Sequence, residues 1–290
     1  MVRLTGTISD PDPGDSFTLL IHWGDGSTET QNYLAASAFD ITHQYPHTAP
    51  AGTYTIQLTI TDDDGHSTTT SITTTIPNVP PTLAEVSATS VEEGGIVHLT
   101  GSIKDPDPQN TFTLVVNWGE GAPQTFSFPA GTTTFDVTHQ YRDDNPTGTG
   151  SDVYTIFLTL TDNRGGQATA STSATVNNVA PTVNLGSPTV SLVERNQGRK
   201  NDALVPQDWL VTLAGMFTDP GIQDTWTAVV NYGDGSADQP LILNPDNTFT
   251  LSHQYTAPAG TSYTITVTIT DDDGGTGLGT LVVTLDPPII

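Results

Sequence analysis

The chain of 290 residues contains no cysteine, which excludes disulfides, thiolate metal sites and cysteine nucleophiles. Basic residues are scarce as well: 7 Lys plus Arg stand against 32 Asp plus Glu, a net charge of −25. Because so few cationic side chains cannot neutralise a row of phosphates, we expect the protein to bind neither a nucleic acid nor an anionic membrane surface. The sequence also lacks a run of about 18 apolar residues, and we expect no membrane insertion.

The residues that are abundant indicate β-structure. Of the 32 acidic residues 26 are Asp, which favours turns, and 52 residues are Thr, which favours strands. The chain also contains 27 Gly and 21 Pro, a content that is typical of a protein with many short turns. A helical protein would contain more Glu, Lys and Ala. The 34% hydrophobic content suffices for small sandwiches with polar outer faces.

Three sequence blocks recur about 95 to 114 residues apart, the size of one β-sandwich domain. The first, W-G-D-G at 23–26, returns at 118–121 and 232–235. The second, H-Q-Y at 43–45, returns at 139–141 and 253–255. The third, a T-D-x-x-G turn at 61–65, returns at 161–165 and 270–274. The repeats predict three domains with boundaries in Pro-rich linkers, at residues 1–78, 79–179 and 180–286, followed by a short tail at 287–290.

Within each repeat the hydrophobic pattern has period 2. Phe17, Leu19 and Ile21 alternate with polar or exposed positions, and the same holds for residues 54–61. This alternation predicts half-buried antiparallel strands, and their spacing of about ten residues favours an all-β immunoglobulin-like sandwich.

The combination W-G-D-G, then H-x-Y, then G-T-Y-T-I-x-L-T-I-T-D-x-D-G resembles the PKD domain, an immunoglobulin-like module. All three repeats carry these blocks, although repeat 2 has Glu120 for the turn Asp and repeat 3 has Tyr232 for the Trp. The resemblance implies three tandem PKD-type sandwiches, an extracellular or cell-surface location, and a spacer, adhesive or assembly role that is seldom catalytic.

Both ends of the chain are out of phase with the repeat. Residues 1–6 align with 96–101, so repeat 1 is expected to lack its first strand, and residues 286–290 align with 79–83, which open a repeat. Either the chain is a window of a longer array, or the tail of one copy completes the head of the next by strand donation. The second hypothesis assigns assembly contacts to the tail residues Pro287, Pro288, Ile289 and Ile290.

An insertion near residues 194–208 separates the first two strands of repeat 3. It contains three of the seven basic residues, which we predict to contact an acidic end of a neighbouring copy, the alternative being a solvated loop. They are Arg195, Arg199 and Lys200.

Aspartates concentrate in two loops that lie at the same end of an immunoglobulin sandwich, between strands B and C and between strands F and G. Clustered carboxylates repel one another, and Ca²⁺, which takes six to eight oxygen ligands, would relieve that repulsion. The alternative is that these residues only cap turns. The predicted Ca²⁺ ligands are Asp10, Asp12, Asp15, Asp62 and Asp64 in repeat 1, Asp105, Asp107 and Asp162 in repeat 2, and Asp219, Asp224, Asp271 and Asp273 in repeat 3.

The histidines do not form a catalytic pattern. His43, His139 and His253 share one inward-facing position in the three repeats, which favours hydrogen-bonded core residues. W-G-D-G is interpreted as a hairpin turn, with a second ion near Asp25 or Asp234 as the alternative. No motif of a hydrolase or phosphate-binding loop is present, and we expect no enzyme.

The sequence therefore predicts a rod-like subunit of an extracellular fibre or filament, assembling head-to-tail and stiffened by Ca²⁺ at its domain junctions. Its partners would be other copies of itself or flanking repeats. The alternative is a spacer or a binding module, for an adhesin or a carbohydrate, from a larger secreted or cell-surface protein.

Overall fold

A computed structural model describes residues 1–46, 50–145, 147–193 and 206–286. The predicted assembly contacts Arg195, Arg199, Lys200 and Pro287 to Ile290 lie outside the described residues and stay predictions. Secondary structure in the described ranges consists of strands and turns, which confirms the all-β, tandem sandwich fold. Among these residues no helix is long and apolar enough to cross a membrane.

Repeat 1 contains six strands. They are β1 Val2–Thr7, β2 Phe17–His22, β3 Thr28–Tyr33, β4 Ala38–His43, β5 Gly52–Asp62 and β6 Ser67–Ile76. Strands β1 and β4 pair with each other, and the second sheet has the order β3-β2-β5-β6. The predicted alternation is observed in β2, where Leu19 and Ile21 are buried while Thr18 and His22 are exposed.

Repeat 2 contains eight strands. They are β7 Thr82–Ala88, β8 Val91–Glu92, β9 Ile96–Lys104, β10 Phe112–Asn117, β11 Gln124–Phe128, β12 Thr134–Gln140, β13 Ser151–Asp162 and β14 Gln167–Asn177. One sheet has the order β12-β9-β7 and the other β11-β10-β13-β14-β8. Strand β8 is parallel to β14, so the first part of the repeat passes from one sheet to the other.

Repeat 3 also contains eight strands. They are β15 Thr182–Leu185, β16 Thr189–Leu192, β17 Gln207–Thr218, β18 Thr227–Asn231, β19 Gln239–Pro240, β20 Thr248–Ala257, β21 Ser262–Thr270 and β22 Thr276–Thr284. Strands β15, β16 and β20 all pair with β17, and the second sheet has the order β19-β18-β21-β22. Unlike β8, β16 stays antiparallel to the strand that follows it.

The recurring aromatic residues of the sequence blocks lie in the cores of repeats 1 and 3. Trp23 and Tyr232 are buried, and each carbonyl oxygen accepts a hydrogen bond from a buried tyrosine of the H-Q-Y block. The Tyr45 hydroxyl donates to Trp23 over 2.7 Å, and the Tyr255 hydroxyl donates to Tyr232 over 2.9 Å. These bonds tie the W-G-D-G turn to the end of the strand that contains the histidine.

The chain forms two compact units. The first takes in the described residues of 1–87, 100–136 and 156–172, and the second those of 88–99, 137–155 and 173–290. The predicted domain boundaries at 78/79 and 179/180 stay predictions, because the units divide the chain differently. The contacts that join repeats 1 and 2 lie within the first unit, and those that join repeats 2 and 3 lie within the second.

Candidate metal centre

Repeat 3 supplies three carboxylates from two loops of the second unit. Asp219 and Asp224 lie between β17 and β18, and Asp273 lies between β21 and β22. The first loop is shaped by Asp219, whose Oδ1 accepts the N–H of Gly221 over 3.3 Å and whose Oδ2 accepts Nε1–H of Trp226 over 2.8 Å. An Asp that caps its own turn in this way holds the loop in one conformation.

Repeat 2 supplies three more carboxylates to the same place, from loops that the sequence analysis does not single out. Glu93 follows β8, and its Oε1 accepts the N–H of Val179 over 2.9 Å. Asp143 and Asp144 lie between β12 and β13, where Oδ2 of Asp143 accepts the side-chain amide of Asn145 over 2.5 Å. The two repeats thus contribute equally to one acidic site.

The six carboxylates form what we call the acidic junction cluster. In each of three groups, one oxygen per residue lies within 4.8 Å of the others. The groups are Glu93 with Asp219 and Asp224, Glu93 with Asp143 and Asp144, and Asp143 with Asp224 and Asp273. Four members are almost inaccessible to water: Asp144 is 0% exposed, Asp143 2%, Glu93 3% and Asp224 6%.

Most of the oxygens in this cluster have no hydrogen-bond donor. Within the described residues, both side-chain oxygens of Asp144 and Asp224 are buried without a partner, as is one oxygen each of Glu93, Asp143 and Asp273. No Lys or Arg in the described ranges forms an ion pair with them. Buried polar groups without partners are rare in folded proteins, and buried charges without a counter-charge are rarer.

The electrostatic consequence is a set of raised pKa values. Burial, together with the neighbouring carboxylates of Glu93 and Asp143, raises the pKa of Asp224 to about 9. Burial likewise raises the pKa of Glu93 and that of Asp144 to about 7, again with a contribution from adjacent acids. Near neutral pH the cluster therefore needs either protons or cations.

Hard divalent cations suit this donor set. The ligands are all oxygens, they come from carboxylates on loops, and several are free to bind. Ca²⁺ prefers such oxygen ligands in flexible geometry, whereas transition metals prefer nitrogen and sulfur. The buried cluster could therefore hold a metal, and three of its members, Asp219, Asp224 and Asp273, are among the predicted ligands.

The corresponding loops of repeat 2 have a different arrangement. Asp105 accepts the N–H of Asp107 over 2.8 Å and the side-chain amide of Asn110 over 3.1 Å. Asp162 accepts the side-chain amide of Asn78 over 2.8 Å and two backbone N–H groups. Among the described residues, the predicted ligands Asp105, Asp107 and Asp162 do not meet as a group of three, and nitrogen donors occupy them.

Asp107 has a cationic partner within the first unit. Nε of Arg164 lies 3.5 Å from its Oδ2, and the backbone N–H groups of Ala51 and Gln109 donate to its two oxygens over 3.1 and 2.9 Å. Asp107 is 6% exposed and the Arg164 side chain is 33% exposed, so the carboxylate of this ion pair is buried and the guanidinium reaches it from the surface. Within the first unit, Asp107 thus has a cation of the protein itself, while Asp105 and Asp162 have hydrogen-bond donors.

Comparison with known protein families gives a match for the first repeat. Residues 1–76 match the family model described as PKD domain. The first repeat is a PKD domain. No curated protein sequence matches the chain.

Solved structures also resemble the chain at low identity. A tetra-tandem repeat from the extending region of a large adhesion protein is 17% identical with a TM-score of 0.47, covering 98% of this chain and 70% of that one. A 1.5-MDa bacterial ice-binding adhesin is 15% identical with a TM-score of 0.29, covering 99% and 91%. The FN1–FN3 domains of chicken CNTN1 are 11% identical with a TM-score of 0.24, covering 97% of each chain.

The PKD domain of residues 1–76 has its own acidic group, in the loop between β1 and β2 and at the last residue of β5. Oxygens of Asp10, Asp15 and Asp62 lie within 4.8 Å of one another, as the loop pairing predicts, but all three are partly exposed. Asp12 is exposed and accepts the N–H of Gly14 over 3.0 Å, and Asp64 is exposed outside this group. In repeat 3, the predicted ligand Asp271 accepts hydrogen bonds from the side-chain amide of Asn178 and from two backbone N–H groups.

The W-G-D-G turn of the PKD domain is held by a histidine. Asp25 Oδ2 lies 2.9 Å from Nε2 of His43, which stacks on Trp23 with ring centroids 4.5 Å apart. Burial favours a raised pKa for Asp25, but hydrogen bonds from Ser27 and His43 outweigh it and lower the pKa to about 2. Asp234 and His253 repeat this pair over 2.8 Å, so both carboxylates serve the turn.

Sequence reasoning missed Glu93, Asp143 and Asp144 because they break the repeat instead of following it. The segment after the H-Q-Y block reads R-D-D-N at 142–145, whereas the corresponding residues of repeats 1 and 3 are not acidic. That asymmetry was the available signal. Its meaning depends on which loops of adjacent repeats meet, and the sequence of one repeat does not contain that information.

Proposed function

We propose that the chain is a structural segment of an extracellular or cell-surface protein, whose repeats act as spacers stiffened by Ca²⁺ where repeats join. PKD domains are typically structural, which supports a role without catalysis. The observation that carries the proposal is the acidic junction cluster, with its buried oxygens free of hydrogen-bond donors. Extracellular modules bind Ca²⁺ with dissociation constants of about 10⁻⁴ to 10⁻³ M, so such a site would be filled outside cells.

Stiffening follows from the origin of the ligands. Interfaces between domains of one chain are mobile by default, because they bury little surface. A cation that binds Glu93 from repeat 2 together with Asp219 and Asp224 from repeat 3 cross-links the two repeats. Without the cation, mutual repulsion of the same carboxylates would favour separation.

The absence of cysteine makes this testable with site-directed spin labels. Ser173 and Thr280 are exposed strand residues of repeats 2 and 3, and Ser173→Cys with Thr280→Cys gives one label on each. We expect the distribution of label distances to be narrow in millimolar Ca²⁺ and to broaden after chelation. An equally narrow or equally broad distribution in both conditions would contradict cation stiffening.

Head-to-tail assembly is a second candidate, favoured by a groove in repeat 1. The groove has a volume of about 630 Å³ and lies between β1 and β6, with Leu4, Ile8, Thr68 and Thr70 in its lining. In repeat 3 the corresponding position holds the repeat's own first strand. There a Cβ on Gly277 or Gly279 would meet atoms of Pro181 to Leu185.

The occupant that we propose for this groove is the tail of a second copy, residues 287–290, which align with the start of a repeat. Deletion of residues 286–290 should abolish filaments or oligomers seen by negative-stain electron microscopy and leave the melting curve intact. A peptide of residues 79–88, which contains the β7 segment, should compete with the tail. Assembly that persists after the deletion, or no assembly of the intact chain, would contradict this candidate.

A further inference from the structure

We infer that the acidic junction cluster is a two-cation centre bridged by Asp224, and that Arg164 replaces the cations where repeats 1 and 2 join. The inference rests on the proposed function, because it specifies the stoichiometry and location of the bound ions. It includes Glu93, Asp143 and Asp144 of repeat 2 among the ligands, in addition to the predicted ligands of repeat 3.

The grouping of the ligands indicates two positions. The group of Glu93, Asp219 and Asp224 and the group of Asp143, Asp224 and Asp273 have only Asp224 in common. Both side-chain oxygens of Asp224 are buried and have no donor among the described residues. A carboxylate with two free oxygens at the common corner of two ligand groups can bind one cation with each oxygen.

Asp144 completes the arrangement from the side of repeat 2. It is 0% exposed, both of its oxygens lack a donor within the described ranges, and it forms a third group with Glu93 and Asp143. This group shares one residue with each of the other two. Asp144 can therefore add a ligand next to either position.

The charge of the cluster also indicates two cations. Six ionised carboxylates supply six negative charges in a region from which water is largely excluded, and a single divalent cation would leave four of them uncompensated. Two cations leave two, a remainder that the N–H groups of Val179, Gly221 and Trp226 can stabilise by hydrogen bonds.

The backbone is shaped to let these carboxylates approach. A Cβ at Gly221 would collide with Oε2 of Glu93 and with both side-chain oxygens of Asp224. Gly221 aligns with Asp107 in repeat 2, where a side chain is accommodated. Glycine at this position keeps the space between the two repeats open for oxygen ligands.

Two positions of repeat 2 have a hydrogen-bond donor where repeat 3 has a ligand. Asn110 aligns with Asp224 and donates to Asp105, and Arg164 aligns with Asp273 and pairs with Asp107. A fixed guanidinium thus lies where the acidic junction cluster has a carboxylate. At the contact between repeats 1 and 2, Asp107 has a cation of the protein itself, and Asp105 and Asp162 accept hydrogen bonds. We expect this contact to be insensitive to chelation.

Counting Ca²⁺ ions on the intact chain tests the inference, by native mass spectrometry and by calorimetric titration with Ca²⁺ alone. We expect Asp224→Asn to remove two ions relative to the unchanged chain, or to weaken both at least tenfold, and Asp144→Asn to weaken binding without removing both. Asp107→Asn, in the corresponding loop of repeat 2, is the matched control and should leave the count unchanged. Melting curves in chelator check that each variant is folded.

The outcomes separate the inference from the proposed function. In Asp224→Asn, loss of only one ion, or retention of both ions with less than tenfold weakening, overturns the two-cation centre. Loss of an ion in Asp107→Asn also overturns it. Two bound ions with no narrowing of the label distances would support the centre and contradict stiffening. One bound ion with clear narrowing would support stiffening and overturn the bridged pair.

Discussion

Nε of Arg164 lies 3.5 Å from Oδ2 of Asp107, and this ion pair is the only one with a Lys or Arg that we find at a repeat junction in the described ranges. Replacing Arg164 by Ala leaves the Asp107 carboxylate, which is 6% exposed, without its cation. Backbone donors retain part of the compensation, so we expect a loss of about 1–3 kcal/mol. Denaturant unfolding should give the same loss with Ca²⁺ and with chelator, because no metal is involved.

The matched control for this variant is Arg3→Ala. Arg3 pairs with Asp40 on β1 and β4, and both side chains are at least half exposed. Exposed ion pairs contribute little, so the control should be close to neutral. A comparable loss in the two variants, or a loss from Arg164→Ala that Ca²⁺ restores, would contradict a metal-free contact between repeats 1 and 2.

Asp224→Asn should have opposite effects with and without Ca²⁺. In chelator it removes one buried, unpaired carboxylate whose pKa is raised to about 9, and we expect a gain of about 2 kcal/mol in the stability of the second unit. In Ca²⁺ it removes the bridging ligand, so the melting temperature should no longer rise when Ca²⁺ is added. Destabilisation in chelator would show that the carboxylate is compensated without metal.

Stability in chelator should fall as the pH rises. The pKa values of Asp224, at about 9, and of Glu93 and Asp144, at about 7, lie above those of an unfolded chain, so the folded state binds more protons. The stabilisation is complete below about pH 4 and is lost as the pH passes through 7 to 9. Thermal melts in chelator should therefore show a lower melting temperature at pH 8.5 than at pH 6.

Ca²⁺ should remove or invert this trend between pH 6 and pH 8.5. Cations bind the ionised carboxylates, so affinity rises as protons leave. The repeat-1 acids Asp10, Asp15 and Asp62 are partly exposed and should contribute little to the difference. A melting temperature in chelator that rises with pH over this interval would mean that the cluster is not protonated in the folded state.

The predictable part of the site is the part that follows the repeat. The loop positions of Asp219, Asp224 and Asp273 can be read from one repeat, because strand alternation fixes which loops of a sandwich share an end. The positions of Glu93 and Asp143 depend on how the next repeat is placed, which alternation does not determine.

The same limit applies to residues that weaken a predicted site. Asn110 stands in repeat 2 where repeat 3 has Asp224, which can be read from the sequence, and in the structure its amide donates to Asp105. Arg164, by contrast, reaches Asp107 only through the tertiary contact of two loops. The strands themselves were predictable, because the buried residues Phe17, Leu19 and Ile21 of β2 alternate with residues that are exposed or half-buried.

In each repeat, one glycine lies against a phenylalanine ring of the neighbouring strand. A Cβ at Gly215 on β17 would collide with the ring of Phe249 on β20, which is 0% exposed, and Gly6 with Phe39 repeats this contact. We expect Gly215→Ala to cost about 2–3 kcal/mol, since a buried ring has little room to move. Gly14→Ala, where a Cβ meets only ordinary contacts, is the control for denaturant unfolding. Equal stability of both variants would show that the ring can shift.

Trp226 provides an optical test of where the cations bind. Its Nε1–H donates to Oδ2 of Asp219, a ligand of the acidic junction cluster, over 2.8 Å. Tb³⁺ takes the same oxygen ligands as Ca²⁺ and emits when a nearby excited indole transfers energy to it. Excitation of the tryptophans should therefore give Tb³⁺ emission, which is lost when Ca²⁺ displaces the bound Tb³⁺. Trp226→Phe should remove most of this emission.

The control for this variant is Trp118→Phe, which should retain the emission. Trp118 lies in the core of repeat 2 within the first unit. Emission that survives Trp226→Phe but is lost in Trp118→Phe would contradict binding of the cation next to Asp219.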